Sequence, residues 1–214
     1  MPHVAPRDPG RGGYAANELA GASLYSAAML YELPPSGPQN QNLLTRTGHI
    51  AIIGTVPEKP EPEQEEDLRL MRHALKEARR AAEKGEVPVG AVVARRGEIL
   101  ATAHNQRETT KDPTSHAELL ALRRAAHRLG AWRLTGCTLY ATLEPCPMCA
   151  GALHAARVSR LVYAASDPKA GAAGTLYDLP SDHRLNHTYP CRDGVLEAEA
   201  TTLLRAFFRE RRNH

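Results

Sequence analysis

Cys146 and Cys149 stand three residues apart in LEPCPMCAGAL, residues 143–153. A CxxC pair can be a redox couple, half of a structural zinc site, or part of a catalytic metal site. Cysteines at i and i+3 share one helix face, so both sulfurs can reach one metal. A helix N-terminus lowers their pKa, which lets both bind as thiolates. A thioredoxin-type redox pair fits less well, because the motif comes late in the chain and a third donor of the right kind exists. Cys137 and Cys191 do not form a second CxxC, so a closed four-cysteine site is poorly supported. One nitrogen donor added to two thiolates gives three ligands and one open position, which is the catalytic arrangement of zinc.

The donor of choice is His116 in TSHAE, with Glu118 two residues on. In a regular helix, i and i+2 do not share a face. If His116 binds the metal, Glu118 is therefore not a neighbouring ligand. It can approach the open position from the side, take the proton of an attacking water and deliver it elsewhere. The chain has 10 His, and a single histidine is more often a surface or core residue than a ligand. HAE and PCxxC together, thirty residues apart and each at a predicted helix start, form the specific signal. The expected metal ligands are His116, Cys146 and Cys149, the expected cofactor is Zn2+, and the expected catalytic residue is Glu118.

The elements that must position these groups can be read from periodicity. From Asp67 on, Leu68, Met71, Leu75, Ala78 and Ala82 recur at helical spacing as far as Gly85. In VPVGAVVARRGEILATAHN, two β-rich runs flank Arg95, Arg96 and Gly97, which reads as a hairpin. Ser115 offers an N-cap to a helix through HAELLALRRAAHRLG that stops at Gly130. CTLYATLE reads as a strand, residues 146–156 as a helix and VSRLVYAAS as a strand. A Gly/Asp/His loop and a short run near Thr188 and Cys191 follow. The chain closes with a helix whose Leu196, Ala200, Leu203, Leu204 and Phe207 share a face. Helices between strands predict parallel neighbours in one α/β sheet covered on both faces, and the opening hairpin makes that sheet mixed.

The 214 residues suit one ordinary domain with an appendage. Residues 1–65 are rich in Pro, Gly, Asn and Gln and end in a PEKPEPEQEE run, which predicts a disordered leader and an extended Pro/Glu-rich linker. HIAIIGTV, residues 49–56, could form an isolated strand. The folded domain is expected at 66–214. No apolar run reaches the ~20 residues of a membrane helix, and residues 19–31 make a poor signal or transit peptide. Four scattered cysteines fit a reducing, cytoplasmic setting better than a disulfide framework. The net charge of +3 hides an asymmetry: residues 1–67 carry 4 Lys/Arg against 9 Asp/Glu, a net −5, and leave +8 on residues 68–214. A basic domain attracts polyanions, nucleic acid first among them.

The motifs MRHALKEA, EVPVGAVV, HNQR, DPTSHAELLALR, TLYATLEPCPMCAGAL, KAGAAGTLYDL, LNH and FFRERR cover about residues 66–212. Over this span the chain resembles the bacterial tRNA-specific adenosine deaminases of the cytidine-deaminase-like superfamily. The resemblance implies a three-layer α/β/α sandwich with a five-stranded mixed sheet. It also implies a homodimer with RNA bound across both subunits, and conversion of adenosine to inosine at the wobble position of a tRNA anticodon. His116, Cys146 and Cys149 match the zinc ligands and Glu118 the proton shuttle. Asn105 matches an asparagine that bonds the flipped base. Val87, Val89 and Ala117 match the base pocket, and Asp167 matches a residue near the preceding ribose. Arg205, Arg209, Arg211 and Arg212 are candidate RNA contacts on the last helix. Arg107 stands where the family often has proline, and Pro168 follows Asp167. Two other functions remain open: deamination of a free base or nucleotide such as guanine or cytosine, and an inactive zinc-stabilised RNA-binding module.

Overall fold

The computed structural model describes residues 61–212. Residues 1–60 of the expected leader, including the 49–56 strand, lie outside the described residues. The first helix, α1 (Pro62–Glu83), starts earlier than expected and takes in residues 62–65 of the assumed linker. The reason is local. Proline is favoured in the first turn of a helix, and Glu63 and Glu65 face its positive end. α1 buries Leu70, Met71, Ala74, Leu75, Ala78 and Ala81, and it ends at Lys84 just before Gly85 in the left-handed region.

A tight hairpin then joins β1 (Gly90–Arg95) to β2 (Glu98–His104). Arg96 and Gly97 both have positive φ, 51° and 74°, as a type I′ turn requires. Next come a short helix that periodicity did not reveal, α2 (Arg107–Thr110), and then α3 (Ala117–Leu129), which ends at left-handed Gly130. The chain continues through β3 (Cys137–Leu143), α4 (Pro147–Ala155), β4 (Arg160–Ala165), β5 (Cys191–Arg192) and α5 (Glu197–Arg212).

The sheet runs in the order β2-β1-β3-β4-β5. β1 pairs antiparallel with both β2 and β3, while β3, β4 and β5 are parallel. One expectation needs correction: α3 does not join neighbouring strands, because β1 lies between β2 and β3. The hairpin turns β1 back along the sheet, and its free edge takes β3. α4 does join parallel neighbours.

Two cores lie on the two faces of the sheet, as period-2 burial requires. Val93, Leu139 and Leu161 pack with Ala121, Leu122 and Ala125 of α3 and Leu153 of α4. Val92, Tyr140 and Val162 pack with Leu70, Met71 and Leu75 of α1 and Ala200 of α5. The result is a three-layer α/β/α sandwich. Gly90 is required there, because a Cβ would run into the backbone of Ala74 and Ala78.

On the α1 face Asp67 is fully buried. It accepts two bonds from Arg160 and one from Arg192, all at 2.8 Å, and one from the Tyr140 hydroxyl at 3.0 Å. Burial would raise its pKa, but the two guanidinium groups and the phenol outweigh it and hold the carboxyl below its usual value. This network ties α1 to β3, β4 and β5.

Candidate active site

The groups that could do chemistry sit at the starts of two helices. His116 is the N-cap residue of α3 and Cys146 that of α4, each with an extended backbone and no side-chain cap bond. Their side chains are therefore free, in the positive field of a helix N-terminus. The expected cap, Ser115, lies one residue too early. Its hydroxyl donates to Asp112 Oδ2 at 3.1 Å and accepts from Thr110 Oγ1 at 2.9 Å. The first α3 bond runs from the Leu120 N–H to the His116 carbonyl at 3.0 Å.

Cys149 lies one turn into α4 and is fully buried. His116 Nδ1 is 3.7 Å from Cys146 Sγ and 3.6 Å from Cys149 Sγ, and the three donor atoms lie within 4.8 Å of one another. Zinc bonds of about 2.3 Å to sulfur and about 2.0 Å to nitrogen, at a tetrahedral angle, would separate the two donors by about 3.5 Å. The cluster has that spacing, and thiolate with imidazole is a donor set that suits zinc. The Cys146 thiol is held down to about 4 by its bond from Cys149, against burial and with help from His116. Cys149 is pushed up by the same bond and by burial. His116 is pushed up by its bond to Cys146, against burial.

Glu118 stands in the first turn of α3, 4% exposed. Burial pushes its carboxyl up, and its own backbone N–H and His116 oppose this without reversing it. Glu118, His116 and Cys146 line a cavity of about 750 Å³, within the ~300–1,000 Å³ typical of ligand sites.

Most of the other sequence-predicted residues meet at this cavity. Asn105, Val87, Val89 and Asp167 line it. Ala117 does not: its methyl group is fully buried in the core on the α3 face. As the first residue of α3, it points at the sheet. Of the four arginines, Arg205, Arg211 and Arg212 reach the cavity and Arg209 does not. Arg211 is also engaged locally, since it donates to the Gly85 carbonyl at 2.6 Å and lies 4.8 Å from the Phe207 ring centre.

Sequence reasoning missed two buried carboxylates. Glu144, also at the cavity, accepts N–H bonds from Asp167 and Ala173 at 2.9 Å and from Thr175 at 3.0 Å, plus the Thr175 hydroxyl. It shapes the loop that carries Asp167. A Cβ on Gly171 would overlap this carboxylate and come within 2.6 Å of the Asp167 carbonyl. Glu86 binds Asn105 and the N-terminus of α2. The acidic residue at the head of EVPV was the available signal. Arg107 and Lys169 also line the cavity and add positive charge from α2 and from the loop after Asp167.

The profile of the MafB19-like deaminases matches residues 65–212. A tRNA-specific adenosine deaminase of Bacillus subtilis (strain 168) is 53% identical over 147 residues, which is 69% of this chain and 91% of that protein. The chain belongs to the tRNA-specific adenosine deaminase family. A solved structure of a tRNA:A34 deaminase, from studies of A-to-I editing at the wobble position of transfer RNA, shares 42% identity with a TM-score of 0.62. It covers 64% of this deaminase and 99% of that chain. A second solved structure, of a protein in complex with 2,6-diaminopurine, shares 28% identity with a TM-score of 0.58, over 66% of this chain and 80% of that one. The deaminase fold is therefore the one in which these donors stand.

Proposed function

We propose that the chain hydrolyses adenosine to inosine at the wobble position of a tRNA anticodon, using zinc held by His116, Cys146 and Cys149. The observation that carries this reading is the meeting of two features at one cavity. His116 and Cys146 of the donor cluster line its floor with Glu118, Cys149 being buried, and Arg107, Lys169, Arg205 and Arg212 line its rim from three separate elements. A free base needs the floor alone, whereas a polyanion needs the rim as well. The 53% identical tRNA-specific adenosine deaminase supports the same substrate.

Zinc in this cluster would acidify the attacking water. Glu118 takes a proton from that water as oxygen adds to C6 of adenine, and passes it to N1. It then transfers the second proton to the amino group, which leaves as ammonia while a carbonyl stays at C6. Water is consumed, ammonia is released and no redox partner is needed. Asn105 holds the base edge, Val87 and Val89 enclose its faces, and Asp167 stands on the side of the preceding nucleotide. The wobble base lies in a loop, so drawing it out costs less than flipping a base from a duplex.

The working form is a homodimer. Exposed Met148, Leu176, Tyr177 and Leu185 offer apolar surface for it to cover. The setting is the cytoplasm, in keeping with four free cysteines. Among the described residues no helix is long and apolar enough to cross a membrane.

The test is nucleoside analysis of tRNA treated with purified protein, alongside ammonia release from free guanine, cytosine and adenosine. Inosine at the wobble position, with no release from the free compounds, is the expected result. Ammonia from a free base without inosine in tRNA would make the chain a small-molecule deaminase. Zinc and tRNA binding without turnover would make it an RNA-binding module.

A further inference from the structure

Glu86 is a fully buried carboxylate outside the donor cluster, one residue before the cavity-lining Val87. Three N–H groups donate to it, and the Thr109 hydroxyl bonds it as well. Asn105 Nδ2 donates to Oε2 at 3.2 Å, the Glu108 backbone N–H to the same oxygen at 3.1 Å, and the Thr109 N–H to Oε1 at 2.6 Å. Burial would raise its pKa, but the bonds from Thr109 and Glu108 prevail and keep the carboxyl below its usual value.

This geometry bears on Asn105. An asparagine amide can turn either way unless a neighbour decides between its carbonyl and its NH2. A carboxylate only accepts, so Glu86 holds the NH2 toward itself and fixes which amide edge faces the cavity. The same side chain receives two N–H groups of α2, the helix that brings Arg107 to the rim. One residue back, the Gly85 carbonyl takes the bond from Arg211, so the end of α5 meets the same corner.

We infer that Glu86 is a positioning residue for the deamination: it sets the orientation of the Asn105 amide against the base and, with it, the efficiency of turnover. The inference rests on the adenosine chemistry proposed above. Glutamine at position 86 has one accepting oxygen and one NH2. That NH2 must face an N–H donor, either Thr109 on one side or Asn105 and Glu108 on the other. The amide of Asn105 is then no longer held one way.

Four zinc-loaded full-length proteins test this: wild type, Glu86→Gln, Asn105→Ala and the double variant. Each is assayed for kcat/KM on an anticodon stem-loop carrying adenosine at the wobble position, with zinc content and thermal melting measured in parallel. Glu86→Gln is expected to lower kcat/KM about ten- to hundred-fold at unchanged zinc content. In the Asn105→Ala background the same change should cost less than about two-fold, because its target is gone. A full, multiplicative loss in the double variant would show that Glu86 acts independently of Asn105 and would overturn the inference, as would wild-type kinetics in Glu86→Gln. If Glu86→Gln does not fold, Glu86→Asp enters the same cycle with the same two outcomes. It keeps the charge but falls one methylene short of its partners. A wild-type protein that makes no inosine would overturn the proposed function as well. Wild-type inosine with a multiplicative cycle would overturn the role of Glu86 alone.

Discussion

Glu118 and Glu144 line one cavity, are of one residue type, and are almost equally buried, at 4% and 2% exposure. Their surroundings differ. Glu144, at the end of β3, is filled by three backbone N–H groups and a hydroxyl from the 167–175 loop. Burial raises its pKa, but the Thr175 hydroxyl and the backbone donors prevail, so the carboxyl sits below its usual value. Glu118, at the start of α3, has no such cradle, and burial leaves its carboxyl raised. A carboxylate with every lone pair in use is a structural anchor. One that faces the cavity with fewer donors, its own backbone N–H and the Cys149 thiol, keeps capacity to carry a proton. Donor placement, rather than burial, separates the two regions.

The largest break in this comparison removes what both regions serve. Cys146→Ala should abolish turnover and leave less than one zinc per chain by elemental analysis, while the fold persists by circular dichroism. Next is Glu118→Gln, which should keep zinc and lose about 10²- to 10⁴-fold in kcat. Glu144→Gln should cost less, about ten-fold, because it leaves one N–H of the loop facing an amide donor. A hydrogen-exchange measurement should place the added flexibility in residues 167–175. The smallest effect on turnover belongs to Asp67, which does not line the cavity. Asp67→Asn should stay within about two-fold of wild type in kcat, yet lose about 3 kcal/mol of stability at pH 7. The pH dependence follows from its depressed pKa. The unfolded chain binds this proton more tightly, so the stabilisation is complete above the unfolded value near ~4 and is lost as pH falls through the folded value. Denaturation curves of wild type and variant should therefore converge below about pH 4.

These contrasts explain what could be read from the sequence. His116, Cys146, Cys149 and Glu118 were legible because a metal site demands particular residue types at particular spacings, and spacing survives in sequence. The amphipathic face of α1 and the Arg96–Gly97 turn were legible for similar reasons, since periodicity and positive φ each leave a local mark. Glu144 and Asp67 left none, and Glu86 left only its place at the head of EVPV. An isolated acidic residue reads as surface, and only the folded chain brings distant N–H or guanidinium donors around it, as it brings Arg160 and Arg192 to Asp67. The insertion of β1 between β2 and β3 was also hidden, because the pairing of a free strand edge is decided by tertiary packing. α2 is a single turn, too short for a periodic signal. Ala117 was placed at the base pocket by resemblance, whereas its methyl group packs into the core.

The most direct test of the central claim compares single-turnover inosine formation in an anticodon stem-loop by wild type, Glu118→Gln and Glu144→Gln at matched zinc content. The account predicts inosine at the wobble adenosine with wild type, a loss of at least about 100-fold for Glu118→Gln, and a clearly smaller loss for Glu144→Gln. Near-wild-type inosine formation by Glu118→Gln would contradict it, as would a larger loss in Glu144→Gln than in Glu118→Gln.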